Sequence, residues 1–222
     1  MLRRLTAALF TLSLSAISLF MRDVKPLGYF TIKSIMGGGA YATKEYVTFP
    51  ALLWVCLLGS PVIIVGLGLI EKRKKQLLDR LLLFYLATAL AHAVVDVLKF
   101  VVSKERPDYL DRCGRFKSGH KFDDGKRSFP SGHSALGAGT AVFLGCASFS
   151  ALKRAGSLVK RSLVIYVGII IPCLLAVFVC VSRVLDNRHD VVDVSAGALL
   201  GAVVSSGVYI KGGKGLRGFG QV

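Results

Sequence analysis

The strongest constraint on this chain is a series of long apolar runs almost free of charge. Val47 to Ile70 is 24 residues without one charged side chain, Ser134 to Leu152 is 19 and Ser162 to Ser182 is 21. A helix needs roughly 20 mostly apolar residues to cross a bilayer. Leu81 to Phe100 and Val191 to Ile210 are two further runs. The first carries His92, Asp96 and Lys99 in its last third, the second Asp193 in its first turn. Leu5 to Phe20, behind Arg3 and Arg4, is a shorter stretch. It reads as a retained span, with a cleaved secretory signal as the alternative, and the remaining topology is the same either way. Inside lipid, backbone groups must be satisfied within the segment, so these runs predict helices. The expected fold is all-α: a polytopic bundle of about six transmembrane helices near residues 5–21, 47–70, 81–102, 132–152, 162–182 and 190–210, forming one membrane-embedded domain over 1–222.

Composition agrees. With 53% hydrophobic and 19% charged residues, the chain is too apolar for a soluble globule or a disordered segment. Its 29 Lys and Arg against 13 Asp and Glu would suggest nucleic acid in a soluble protein. Beside such apolar runs they suggest basic loops of a membrane protein, with no nucleic-acid partner. Short loops orient the bundle. Fourteen bases, including Arg3, Arg4, Lys72 to Lys75, Arg80, Lys153, Arg154, Lys160, Arg161, Lys211, Lys214 and Arg217, fall on one side, read as cytosolic. The other side holds 15, of which eight cluster between Ser103 and Pro130 and call for an explanation other than topology. Four of the five cysteines lie in apolar spans and only Cys113 lies in a loop, so no disulfide framework is expected. Gly37 to Gly39 and Gly212 to Gly220 fit a flexible loop and a frayed tail. Gly197 and Gly201 form a GxxxG that suits helix packing.

Three polar clusters mark span ends, where ionisable groups are costly. By the topology above, all three reach the non-cytosolic face. The first contains Lys99 and Arg106, seven residues apart and so expected on one face of an extended third span, with Pro107 ending it. His92 and Asp96 are read as structural partners of Lys99. The second is Ser128-Phe-Pro-Ser131-Gly132-His133, directly before the fourth span. Helix capping explains part of it; free N–H groups of Ser131 and Gly132 at the positive end of the helix dipole would also bind an anion. The third runs from Ser182 to Asp193. It contains Arg183, a bidentate donor suited to phosphate, and His189 with Asp193, an i,i+4 pair expected on the first turn of the last helix. Together, two imidazoles, a carboxylate, three cations and a helix N-terminus can make a phosphoryl-transfer site without a metal or other cofactor. His120, Asp123 and Asp124 are read as solvated loop residues.

These residues resemble the type 2 phosphatidic acid phosphatase (lipid phosphate phosphatase) superfamily. The signatures K-x6-R-P, P-S-G-H and S-R-x5-H-x3-D stand at Lys99 to Pro107, Pro130 to His133 and Ser182 to Asp193. Arg106 to Cys113 and Asp193-Val-Ser-Ala-Gly resemble the eukaryotic branch. The resemblance implies a metal-independent hydrolase of lipid phosphomonoesters with an extramembrane catalytic face. His189 would be a nucleophile forming phosphohistidine, Asp193 its orienter, and His133 the acid for the leaving alkoxide and then the base for water. Lys99, Arg106, Ser131, Gly132 and Arg183 would hold the phosphate. The substrate partner would be a lipid phosphate in the bilayer: phosphatidate, lysophosphatidate, diacylglycerol pyrophosphate or a sphingoid-base phosphate. The motifs equally suit an isoprenoid diphosphatase; a transporter of a phosphorylated solute is the alternative outside the enzymes. The preferred lipid, the organelle and homo-oligomerisation stay open at this point.

Overall fold

The computed structural model describes residues 2–27, 32–72 and 74–217. Among them six helices are long and apolar enough to cross a membrane, and no strand occurs. The spans are α1 (Leu2–Asp23), α2 (Phe49–Ile70), α3 (Leu77–Val102), α5 (Gly132–Leu152), α6 (Leu158–Leu185) and α7 (Val191–Arg217), with a short extramembrane helix α4 (Tyr109–Arg115). They lie where the apolar runs predict them. The Gly-rich tail, expected to fray, instead continues α7 through Arg217; Gly218 to Gly220, like Arg73 of the orientation argument, lie outside the described residues.

Two spans contain a widened π turn, at Val55–Gly59 in α2 and Tyr166–Ile170 in α6. Each directly precedes a proline at the start of the next helical stretch, Pro61 or Pro172. Proline lacks an N–H and its ring crowds the carbonyl four residues back, so the turn opens. In α2 that carbonyl belongs to Leu57, and the Tyr85 hydroxyl of α3 donates to it at 3.0 Å. A partner from a neighbouring span is what a freed carbonyl in lipid requires.

The bundle packs by close approach. Helix α7 lies against α5, α5 against α6, and α1 against α3. At Gly197 an added Cβ would sit 2.3 Å from the Ser131 carbonyl oxygen, and at Gly201 it would sit 2.1 Å from that of Ala135. The GxxxG therefore faces α5 and sets the α5–α7 spacing, van der Waals contact replacing the hydrophobic drive that lipid cannot supply. Deeper in the bundle Ile64, Phe84, Phe143 and Leu144 form an apolar core, with Phe84 and Phe143 edge to face at 5.4 Å.

The two ends differ. At one, Glu71 and Arg80 form a buried bidentate pair at 2.7 and 2.8 Å, and Arg4 of α1 meets Asp79 of α3 at 2.5 Å. At the other, the connecting residues 24–27, 32–48, 103–131 and 186–190 fold into a polar layer. Gly39 N–H donates to the Pro107 carbonyl at 3.0 Å and Glu105 N–H to that of Ile32 at 2.9 Å, so residues 32–48 form a built wall rather than a loose loop. The eight clustered bases belong here. Arg112 pairs with Asp108 at 2.9 Å, Arg115 with Asp111 at 3.0 Å, and Arg127 donates to the Met21 and Val24 carbonyls, fastening the end of α1.

Candidate active site

Local signals place each part of the site. Helix α3 stops at Val102 because Ser103 adopts a left-handed conformation, φ 47°. Arg106 is thus four residues beyond the helix rather than on one face with Lys99, as the spacing suggested. It reaches the site from the loop that follows, its N–H bound to the Gly125 carbonyl at 2.8 Å. Helix α5 is capped by Ser131, whose side chain accepts from Ser134 N–H. The N–H of Ser131 donates to the Asp193 carbonyl at 3.0 Å. The expected free N–H of Ser131 is therefore engaged, and its buried hydroxyl is taken by Ser134 at 3.0 Å. Gly132 at the first helical position keeps an N–H without an intrahelical acceptor.

Helix α7 starts at Val191 because Asp190 and Asp193 cap it reciprocally. Asp193 N–H donates to Asp190 Oδ1 at 3.0 Å, and Asp190 N–H to Asp193 Oδ2 at 3.1 Å. This is a capping box with Asp at both positions. His189 consequently lies before the helix, not on its first turn. Its Nδ1 is 3.7 Å from Asp193 Oδ2, too long for a hydrogen bond. The two carboxylates are held by Lys104, whose Nζ lies 2.6 Å from Asp190 and 2.8 Å from Asp193. The spacing of Asp190 and Asp193 could have announced the cap; nothing in the sequence announces Lys104.

One cavity of about 980 Å³ gathers Lys99, Arg106, Gly132, His133, Arg183 and His189 in its lining. Ser131 and Asp193 lie behind that lining, both fully buried. His189 Nε2 is 3.4 Å from Arg106 Nη1, and His133 Nε2 is 3.4 Å from Arg183 Nη1. The His133 ring packs edge-on against Phe49 at 5.2 Å. Lys99 makes no ion pair among the described residues. Its expected partners are engaged elsewhere: Asp96 accepts from the Ser18 hydroxyl of α1, and His92 Nδ1 lies 3.0 Å from the Thr88 carbonyl. The cavity continues between the spans along Leu19 of α1, Leu53 and Leu57 of α2, and Tyr85 and Ala89 of α3.

Two carboxylates that the sequence did not assign to the site also line it. Asp124, expected as a solvated loop residue, pairs with Arg106 at 2.9 Å and Arg112 at 3.2 Å. Burial resists its ionisation, but Arg106, Arg112 and Lys99 outweigh that and hold it well below the usual carboxylate range. Glu45 spans Arg183 at 2.8 Å and Arg188 at 2.7 Å. Burial pushes the His189 pKa well below 6.5, Arg106, Lys99 and Arg183 push the same way, and Asp124 only partly opposes them. The imidazole is therefore neutral at neutral pH, with Nε2 beside the cations. Such a site can hold a tetrahedral dianion and present it to a nitrogen nucleophile.

Known proteins are similar to this chain. A "Probable diacylglycerol pyrophosphate phosphatase 1" of Schizosaccharomyces pombe is 28% identical over 214 residues, covering 87% of this chain and 76% of the relative. "Diacylglycerol pyrophosphate phosphatase 1" of Saccharomyces cerevisiae is 26% identical, covering 81% and 69%. "Lipid phosphate phosphatase 1" of Arabidopsis thaliana is 30% identical, covering 55% of this chain and 41% of its own. No solved structure matches the chain. The family model of the PAP2 superfamily matches residues 80–214, the stretch that holds all three clusters, and the chain belongs to that superfamily.

Proposed function

We propose that the protein is an integral membrane lipid phosphate phosphatase that works through a phosphohistidine and needs no metal. The observation that carries this reading is the convergence of His189, His133, Lys99, Arg106 and Arg183 on one cavity that continues between α1, α2 and α3. A phosphorylated headgroup can enter the polar end while its acyl chains stay among the spans. Relatives named as phosphatases of diacylglycerol pyrophosphate and lipid phosphate support that substrate class. A transporter site tends to lie near the bilayer midplane, whereas this cluster sits at the extramembrane layer.

In this mechanism Lys99, Arg106, Arg183 and the Gly132 N–H hold the phosphate oxygens. The neutral Nε2 of His189 attacks phosphorus as the P–O bond to the lipid breaks, and protonated His133 gives its proton to the departing alkoxide. His133 then takes a proton from water, the water oxygen attacks phosphorus, and inorganic phosphate leaves with His189 regenerated. The cations spread and neutralise the developing charge that a metal carries in other phosphoryl-transfer sites. The basic short loops at the opposite end support a lumenal or extracellular position for the catalytic layer.

The test is a substrate panel of phosphatidate, lysophosphatidate, diacylglycerol pyrophosphate, a sphingoid-base phosphate and a polyprenyl diphosphate, presented to purified protein in detergent micelles. Hydrolysis is expected to persist in EDTA, to be blocked by vanadate, and to vanish in His189→Ala with the fold retained. Turnover that requires added Mg²⁺, or that survives His189→Ala, defeats the mechanism.

A further inference from the structure

We propose that Ser128 is a positioning residue that couples Asp193 to His189 through its hydroxyl. The inference rests on His189 as the nucleophile and adds how its reactive nitrogen is selected. Between His189 Nδ1 and Asp193 Oδ2 there are 3.7 Å. Ser128 Oγ fills the gap, 2.5 Å from Asp193 Oδ2 and 3.4 Å from His189 Nδ1. A hydroxyl has one hydrogen and two lone pairs. Its hydrogen goes to the carboxylate, by far the shortest contact; His189 Nδ1 and the Arg188 carbonyl are 3.4 and 3.5 Å away. Only a lone pair is then left to face Nδ1, so Nδ1 must carry the ring hydrogen and Nε2 must carry the free pair. Nε2 is the nitrogen on the cavity side, beside Arg106.

The surroundings hold this chain of contacts in place. Ser128 is fully buried, so bulk water does not compete for its hydroxyl, and its N–H donates to the Lys104 carbonyl at 3.0 Å. The carboxylate cannot easily swing toward the ring. Its Oδ1 is bound by Lys104 Nζ, and its Oδ2 also accepts the Asp190 N–H. As Nε2 bonds to phosphorus the ring becomes cationic, and the sequence Nδ1–H to Oγ, Oγ–H to Oδ2 transmits the carboxylate's stabilisation to it. Asp193 orients the nucleophile, but through a serine rather than by direct contact.

The experiment measures kcat and KM on a micellar lipid phosphate for Ser128→Ala, Ser128→Thr, Asp193→Asn and the double variant Ser128→Ala/Asp193→Asn, with His189→Ala as reference. Melting temperature checks that each is folded. Removing the hydroxyl is expected to lower kcat about 100-fold while KM stays within about threefold. Ser128→Thr, which keeps the hydroxyl, should return to within about tenfold of wild type. Because the two groups act in series, the double variant should be no more than about threefold slower than Asp193→Asn. Full kcat in Ser128→Ala, a loss confined to KM, failure of folded Ser128→Thr to recover, or losses that multiply in the double variant each overturn the proposal. Should Ser128→Ala not survive purification, Ser128→Cys, a weaker donor of similar shape, takes its place and should show a smaller loss of kcat that Thr again repairs; unchanged kcat overturns the inference. A His189→Ala protein that still hydrolyses substrate defeats the phosphohistidine reading itself. An inactive His189→Ala beside a fully active Ser128→Ala defeats only the role of Ser128.

Discussion

At the scale of single residues, the character of His189 follows from a contest between one carboxylate and several cations. Asp193 is screened by its own ion pair with Lys104 and by its distance from the ring. Burial, Arg106, Lys99 and Arg183 all disfavour the imidazolium, and Asp124 offsets only part of this. The sign is then fixed. A pKa below the ordinary 6.5 keeps the proposed nucleophile neutral to lower pH, so its protonation should set an acid limb of kcat/KM below pH 6.5. A pH–rate profile on a lipid phosphate measures this, and an acid limb at or above 6.5 would show that Asp193 outweighs the cations. Lys99, Arg106, His133, Arg183 and His189 are legible as a group in the sequence because each has a chemical type and a spacing that stand out against apolar runs. The place of Asp124 is not legible, because Lys121 to Arg127 carries a charge at five of its seven positions and no one of them stands out. Only folding brings that carboxylate to Arg106, 18 positions earlier. Ser128 is inconspicuous for a related reason, since a serine near a helix start reads first as a cap.

At the scale of elements, six apolar runs were enough to place the spans, because lipid admits few alternatives to a helix. Helix ends were less legible. The i,i+4 spacing of His189 and Asp193 suggests a last helix that includes His189, but the Asp190–Asp193 box starts it at Val191, and the left-handed Ser103 ends α3 before Arg106. Both errors arise where side-chain hydrogen bonds or a single dihedral, rather than apolar periodicity, decide the boundary. The GxxxG of α7 was legible, and it bears directly on the site. The Gly197 contact lies on the Ser131 carbonyl, in the stretch where Ser131 N–H binds the Asp193 carbonyl. Gly197→Val should separate α5 from α7, with a cost of about 1–3 kcal/mol from overpacking and a loss of turnover. Gly207→Ala, on the same helix with open space around the added Cβ, should leave both unchanged. Thermal unfolding and initial rates of the two variants in detergent check this, and equal behaviour would refute the packing role.

At the scale of the whole molecule, the bundle divides its polar work between two ends. One carries the paired Glu71 and Arg80 and the Arg4–Asp79 contact; the other carries the proposed catalytic layer, closed by 32–48 and tied to α1 through Arg127. The bare count of bases could not orient the chain, because eight cations of the catalytic layer balance the topology signals of the short loops. The structure explains that balance. Lys104, Arg106, Arg112 and Arg115 are paired with carboxylates of their own layer, so they contribute little net charge there. The short basic connection 153–161, by contrast, has no Asp or Glu within it and should stay in the cytosol. Impermeant maleimide on sealed vesicles with their cytosolic face outward tests the arrangement in a background without native cysteines. Gly156→Cys, exposed in that connection, should react at once, whereas Ser118→Cys, exposed beyond α4, should react only after detergent opens the vesicle. The reverse pattern would turn the catalytic layer toward the cytosol, where a lipid phosphate would have to be met in the other leaflet.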